Sequence, residues 1–211
     1  MHMRPLLLLA ALIPIACGAA DSPSKYRKDE HYIPARQAVA DPNPGAPDVI
    51  EIFWYGCPHC YEFEPRIEAW KTGIADDVKF QRIPASLGRP QGILHSKAYY
   101  TAEALGALDR IHPMMFEAIH EKRQPLNSEA AIEAVFVNAG ILPDVFRQTF
   151  NSFAVEGKVQ QAESTIRNLG IRAVPSMSVD LAYWTSSSQS GGYDGMLKVV
   201  DHLVEKSRAK N

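Results

Sequence analysis

Cysteine is scarce in this chain, with three among 211 residues. So few cannot build the multi-bridge framework that holds small secreted scaffolds together. An excess of charge of either sign is also missing. Lys and Arg number 22 against 24 Asp and Glu, a net charge of −2, which gives no electrostatic reason to expect nucleic acid or an anionic surface as partner. No basic run and no internal repeat stands out. The N-terminal apolar run, Leu6 to Ala16, is far too short to cross a membrane as a stable helix. What remains is 46% hydrophobic and 22% charged residues, ordinary globular composition. The length suits one elaborated domain or two small ones.

Residues 1–20 read as a targeting segment, with Arg4 as the positive region ahead of the apolar core. Two processing routes fit. Gly18-Ala19-Ala20 offers small residues for ordinary signal cleavage, leaving Asp21 first. Ile13-Pro-Ile-Ala-Cys17 resembles a bacterial lipoprotein box, with Ala16 before a cysteine that becomes lipidated, although Pro14 stands where that pattern usually has Leu. Lipidation of Cys17 is the favoured reading, and residues 21–30 then read as a flexible linker. Either route exports the domain to an oxidising compartment and removes or blocks Cys17. Only Cys57 and Cys60 are left, so no structural disulfide is available and the remaining pair is the functional one.

Cys57-Pro58-His59-Cys60 follows the hydrophobic run Val49 to Tyr55 and precedes an amphipathic segment, Tyr61 to Lys71. Strand, paired cysteines, then helix places a thiol at a helix N-terminus. There the free N–H groups and the positive end of the helix dipole stabilise a thiolate. Cys57 is then the exposed nucleophile and Cys60, about one turn along, the shielded resolving thiol. His59 adds a donor or a positive charge that favours ionised sulfur; its plain alternative is a solvent-exposed residue of the first turn. A zinc site needs two further ligands, and His31, His95, His112, His120 and His202 form no ligand-spaced pair. A structural disulfide rarely closes so small a ring. A copper-handling module using Cys57 and Cys60 needs more soft ligands, of which Met177 is one candidate. Dithiol–disulfide exchange is the reading that fits best.

Glu51 lies among Ile50, Ile52 and Phe53 in a strand expected to be central, where a carboxylate is costly unless paired. Arg82, in the next expected strand, Val78 to Pro84, is its candidate partner. Tyr32-Ile33 reads as a short edge strand, and Pro65 predicts a kink or break in the first helix. From Gly88 to about Gly157 the pattern is helical, with segments Leu94–Leu108, Pro113–Lys122, Ser128–Ala139 and Pro143–Phe153. Ser128 caps the third and Gly140 ends it. Lys158–Asn168 leads back toward the sheet, Ser176–Leu181 and Ala182–Thr185 read as strands, and Met196–Ser207 as a helix. The order is β-α-β, a helical block, then α-β-β-α, an α/β fold with inserted helices.

The stretch Phe53-Trp-Tyr-Gly-Cys-Pro-His-Cys-Tyr-Glu-Phe-Glu64 resembles the active-site segment of the DsbA family, periplasmic disulfide oxidases of the thioredoxin superfamily. Further matches are Val135-Phe-Val-Asn-Ala-Gly-Ile141, Phe150-Asn-Ser-Phe153 and Gly170-Ile-Arg-Ala-Val-Pro-Ser-Met177. The resemblance covers roughly residues 31 to 208. It implies a thioredoxin fold (31–87 and 157–211) with an inserted helical domain (88–156), working as a monomer. It implies no cofactor beyond the redox-active Cys57–Cys60 disulfide, tuned by Pro58 and His59 and donated to exported proteins with free thiols. A strongly oxidising character comes with the resemblance, as does reoxidation by a DsbB-type quinone-linked membrane protein. Val174-Pro175 resembles the cis-proline loop, which packs beside the sulfurs and whose preceding backbone pairs with bound peptide. Glu51 matches a buried acid that assists the resolving thiol, and Glu64 resembles another acid near the site. A reductase or isomerase on the same scaffold is the nearest alternative. The family's usual Asn-Gly turn is replaced by Val179-Asp-Leu-Ala-Tyr183, which leaves that hairpin and the loop Thr185 to Gly192 unassigned.

Overall fold

The computed structural model describes residues 25–37, 39 and 46–209. The expected targeting segment, Cys17 and the first part of the linker lie outside them. Strand β1 (Ile33–Pro34) is a short edge. Strand β2 (Asp48–Phe53) is buried along its whole length, as an apolar run in a central strand must be. Helix α1 (Pro58–Lys71) joins it to the parallel strand β3 (Lys79–Pro84). Five helices follow: α2 (Pro90–Ala104), α3 (Leu108–His120), α4 (Glu129–Asn138), α5 (Pro143–Phe150) and α6 (Phe153–Leu169). The antiparallel strands β4 (Ser176–Val179) and β5 (Tyr183–Ser186), a short helix α7 (Ser187–Ser190) and α8 (Tyr193–Arg208) complete the chain. The sheet order is β1-β5-β4-β2-β3.

Successive side chains of a strand face opposite sides, so β2 feeds two cores. Val49 packs with Phe63 and Ile67 of α1 and with Met196, Val200 and Leu203 of α8. Ile50 and Ile52 pack with Ile166 and Leu169 of α6 on the other face. The inserted helices gather Met115, Phe116, Phe136, Phe146 and Phe150 around Phe53 and Tyr55, where β2 ends and the active-site helix begins. Among the described residues no helix is long and apolar enough to cross a membrane.

Several expectations are corrected. Pro65 neither breaks nor ends α1, and Pro113, expected to open a helix, lies inside α3. Both prolines are on the exposed side, so the carbonyl deprived of its partner one turn back faces water and not the core. The segment expected as one helix to Phe153 is divided at Asn151 and Ser152. The Ser152 hydroxyl accepts the Val155 N–H and starts α6 five residues earlier than the apolar pattern implied. The β4–β5 connection is made without glycine by three residues, Asp180 to Ala182, between the paired Val179 and Tyr183. The Ala182 N–H donates to the Val179 carbonyl at 3.0 Å, closing a turn in which Asp180 and Leu181 both adopt positive φ, 54° and 51°. Asp180 is anchored there, its Oδ1 accepting the Asp48 N–H at 3.0 Å.

Candidate active site

Strand β2 stops at Phe53, two residues before the end of its apolar run, because the chain turns. The Cys57 N–H donates to the Trp54 carbonyl at 2.9 Å. Gly56 leaves room in this turn for the Trp54 ring, which a Cβ there would meet at 2.4 Å. Pro58 occupies the first turn of α1, where its missing N–H would have had no helical partner. Cys57 is the N-cap in extended conformation, φ −92° and ψ 116°. Its carbonyl accepts the Cys60 N–H at 3.1 Å and the Tyr61 N–H at 3.2 Å.

Both cysteines are free thiols. Cys60 is fully buried, as expected. Cys57, expected to be exposed, is only 8% exposed. The loop around Val174-Pro175 covers it: the Cys57 Sγ lies 3.5 Å from the Val174 carbonyl oxygen, and the Val174–Pro175 peptide bond is cis. A hydrogen bond from Cys60 is the main influence that lowers the Cys57 thiol from 9.0 to about 6. Burial opposes it, while the N–H groups of Cys60 and His59 and the His59 charge reinforce it. Burial pushes Cys60 well above 9.0, and its bond to Cys57 adds to the effect. The two sulfurs therefore differ sharply in character: one ionises near neutrality and the other holds its proton.

Beneath α1 lies a buried set of charges. Glu51, on the α1-facing side of β2, is fully buried, and Arg82 Nε donates to its Oε2 at 2.7 Å. Arg82 Nη2 reaches on to Glu64 at 3.2 Å and Glu68 at 2.8 Å. One guanidinium among three carboxylates does not offset the cost of burial. Glu51 and Glu64 are each raised by burial from 4.5 to about 7. Among the described residues Glu51 Oε1 has no hydrogen-bond partner. His112 continues the set, with Nε2 3.1 Å from Glu64 Oε1 and Nδ1 2.9 Å from the Tyr55 hydroxyl. Burial holds it low, at about 3, so the ring is neutral. A groove of about 680 Å³ lined by Glu64, Arg82 and His112 leads from this set to solvent.

The pairing of Glu51 with Arg82 was legible from adjacent strands; His112 and Tyr55 were not. An isolated histidine on α3 carries no signal linking it to Glu64, and only the packing of α3 against α1 brings them together. Tyr193 was missed too, because α8 starts three residues before the expected helix. Its hydroxyl lies 3.3 Å from Nδ1 of the exposed His59. These residues, with Val174, Pro175 and Ser187, line a cleft of about 340 Å³ beside the dithiol. Met177 is buried in β4 directly opposite Glu51. Among the described residues no group of three or more His, Cys, Asp or Glu is placed to hold a metal ion.

Comparison with known proteins agrees with this geometry. The family described as DSBA-like thioredoxin domain matches residues 91–190. The thiol:disulfide interchange protein DsbA of Pseudomonas syringae pv. tomato is 35% identical over 209 residues, covering 98% of this chain and 97% of the relative. Its Pseudomonas aeruginosa counterpart is 34% identical, covering 98% of each. The crystal structure of Pseudomonas aeruginosa DsbA superposes with a TM-score of 0.82 over 88% of this chain and 96% of that one, at 34% identity. A cysteine-to-serine variant of Proteus mirabilis DsbA, solved with a non-covalently bound peptide, superposes with a TM-score of 0.74 at 27% identity. It covers 86% of this chain and all of that one. With its paired cysteines at the head of a helix in a thioredoxin-like sheet, the chain belongs to the DsbA family of thiol–disulfide oxidoreductases.

Proposed function

We propose that the protein oxidises the dithiols of exported proteins in the bacterial periplasm, transferring the Cys57–Cys60 disulfide. The contrast between the two sulfurs carries this reading: Cys57 is lowered to about 6 while Cys60 is pushed well above 9.0. A substrate thiolate attacks Cys57 Sγ; the Cys57–Cys60 bond breaks, its electron pair goes to Cys60, and Cys60 takes up a proton. A second substrate thiolate attacks the substrate sulfur of the mixed disulfide. The substrate disulfide forms, and Cys57 leaves as a thiolate. Two electrons pass from substrate to the cysteine pair. Stabilising the leaving thiolate stabilises the reduced protein, so the disulfide form becomes the stronger oxidant.

Glu51, buried beside the pair and titrating at about 7, exchanges the Cys60 proton; burial sets its proton affinity, which Arg82 lowers and Glu64 raises. Pro58 and His59 tune Cys57. The backbone at Val174, whose carbonyl oxygen lies 3.5 Å from Cys57 Sγ, pairs with the substrate peptide and Pro175 shapes that contact; the non-covalently bound peptide of the Proteus mirabilis relative supports peptide as the class of ligand. Residues 1–20 export the chain, with Cys17 removed or lipidated, and residues 21–30 act as a tether. The thioredoxin-like part (31–87 and 157–211) carries the chemistry and the helical insertion (88–156) covers it, with α6 running from one into the other. The protein works as a monomer and is reoxidised by a DsbB-type membrane quinone reductase.

The deciding experiment is the reduction potential of Cys57–Cys60, measured by equilibration with glutathione, beside oxidation of a reduced model protein. A potential well above that of thioredoxin, about −270 mV, with stoichiometric substrate oxidation, is expected. A value near thioredoxin's replaces the oxidase by a reductase. Palmitate labelling lost in Cys17→Ser establishes the lipid anchor, whereas a mature protein beginning at Asp21 establishes ordinary cleavage.

A further inference from the structure

Tyr193 stands at the mouth of the dithiol but belongs to neither the cysteine motif nor the buried charges. It opens α8, and its hydroxyl donates to Glu62 Oε2 at 3.2 Å while lying 3.3 Å from His59 Nδ1. A hydroxyl has one proton to give. With that proton given to the carboxylate, the oxygen offers His59 lone pairs, which suits Nδ1 as donor; Nδ1 also lies 3.6 Å from the same Glu62 Oε2, too far for a direct hydrogen bond. The relay runs one way, from Nδ1–H to Oη and from Oη–H to Oε2.

The tyrosine itself is firmly placed. Its ring packs on Phe63 with centroids 5.3 Å apart and lies under the Arg66 guanidinium at 5.4 Å; Arg66 is in turn 3.6 Å from Asp194. Two residues beyond, Gly195 permits α8 to press against α7, because a Cβ there would fall 1.8 Å from the Ser190 carbonyl oxygen. Burial, together with Glu62 and the nearby Cys57 and Cys60, pushes the Tyr193 phenol up to about 12. The hydroxyl thus keeps its proton throughout the neutral range. The groups facing this pair are Glu62 and Arg66 from α1, Asp194 from α8, and the two sulfurs.

We infer that Tyr193 is a positioning residue of the dithiol, fixing the His59 imidazole and the direction of its hydrogen bonds beside Cys57 through a hydroxyl relay to Glu62. The inference rests on Cys57 being the reactive thiol under the influence of His59, one of the groups that lower it. Nothing in the cysteine motif itself encodes this relay, since the hydroxyl arrives from 134 residues downstream.

Tyr193→Phe in the full chain keeps the ring on Phe63 and under Arg66 and removes only the hydroxyl. The ultraviolet thiolate absorbance of the reduced variant, followed against pH, should show Cys57 titrating higher. The glutathione equilibrium should become about threefold less oxidising, the scale of one hydrogen bond at a solvent-exposed site. That factor corresponds to about 14 mV. Thermal unfolding of the disulfide form, which has no Cys57 thiolate to lose, and far-ultraviolet dichroism should be unchanged. The same substitution in a His59→Ala background should shift neither the titration nor the equilibrium, because the group being positioned is gone. An unaltered titration in Tyr193→Phe, or an equal shift with and without His59, overturns the inference. A reducing potential in the unmodified protein would instead defeat the oxidase reading, leaving the variant's titration difference to decide the role of Tyr193.

Discussion

Because Cys57 ionises and Cys60 does not, the stability of the reduced protein should depend on pH in a way the disulfide form cannot share. Cys57 titrates at about 6 in the fold against an ordinary 9.0. The unfolded chain therefore holds this proton up to pH 9, while the folded protein releases it above 6. A lowered value stabilises the fold fully above the unfolded value, and that contribution is lost as pH falls through the folded one. Each tenfold difference in proton affinity is worth about 1.4 kcal/mol. The ceiling is thus about 4 kcal/mol at alkaline pH, about 1.4 kcal/mol at pH 7, and nothing below pH 5. Cys57 keeps 8% of its surface in solvent, and partial screening through it trims the pH 7 figure to about 1 kcal/mol.

Glu51 and Glu64 act in the opposite sense. Raised from 4.5 to about 7, they lose stability as pH climbs through that interval, and the disulfide form carries the same two carboxyls. Absolute stabilities would mix the two effects, whereas the difference between reduced and oxidised protein isolates the thiol. Guanidinium denaturation of both forms should show this difference moving in favour of the reduced form by about 1 kcal/mol between pH 5 and pH 7. It should move further by pH 8, with the reduced form the more stable at neutrality. A difference that stays flat, or moves the other way, refutes the claim that a stabilised Cys57 thiolate drives the chemistry.

Three further outcomes follow from the same geometry. A brief iodoacetamide pulse on reduced protein at pH about 6 should label Cys57 and spare Cys60; mass spectrometry showing Cys60 labelled first would reverse their roles. Pro175→Thr should accumulate reducible high-mass adducts of Cys57 with envelope proteins on non-reducing gels, and a clean monomer would reduce Pro175 to a turn residue. Arg82→Met strands Glu51 and Glu64 without their shared cation, which should cost about 3 kcal/mol in urea denaturation at pH 7. The cost should be smaller at pH 5, where both carboxyls are protonated in the fold; a loss independent of pH would mean Arg82 acts by packing alone.

Features decided within a few residues of one another were legible in the sequence. An apolar strand, a turn and Pro58 in the first helical turn place Cys57 at a helix start whatever the rest of the chain does, and Ser128 caps α4 by the same local logic. The Glu51–Arg82 pair was within reach because adjacent parallel strands put the two residues in register. Local rules failed where the outcome depended on surroundings. Pro65 looked like a kink or break and Pro113 like a helix start, but a missing helical bond is tolerated when its carbonyl faces water, and only the packed fold says which side that is. Asp180 and Leu181 carry no glycine signal, yet the register of β4 against β5 forces both into positive φ.

The site divides in the same way. The identity of the two cysteines is a property of the sequence; their opposite proton affinities are not. Those come from the hydrogen bond Cys60 gives Cys57, the N–H groups and His59 at the helix start, and the depth of Cys60. His112 and Tyr193 reach the chemistry from α3 and α8 across 48 and 134 residues. No periodicity connects positions that far apart, because side chains so distant in the chain meet only when helices pack. Burial then sets which of them hold their protons.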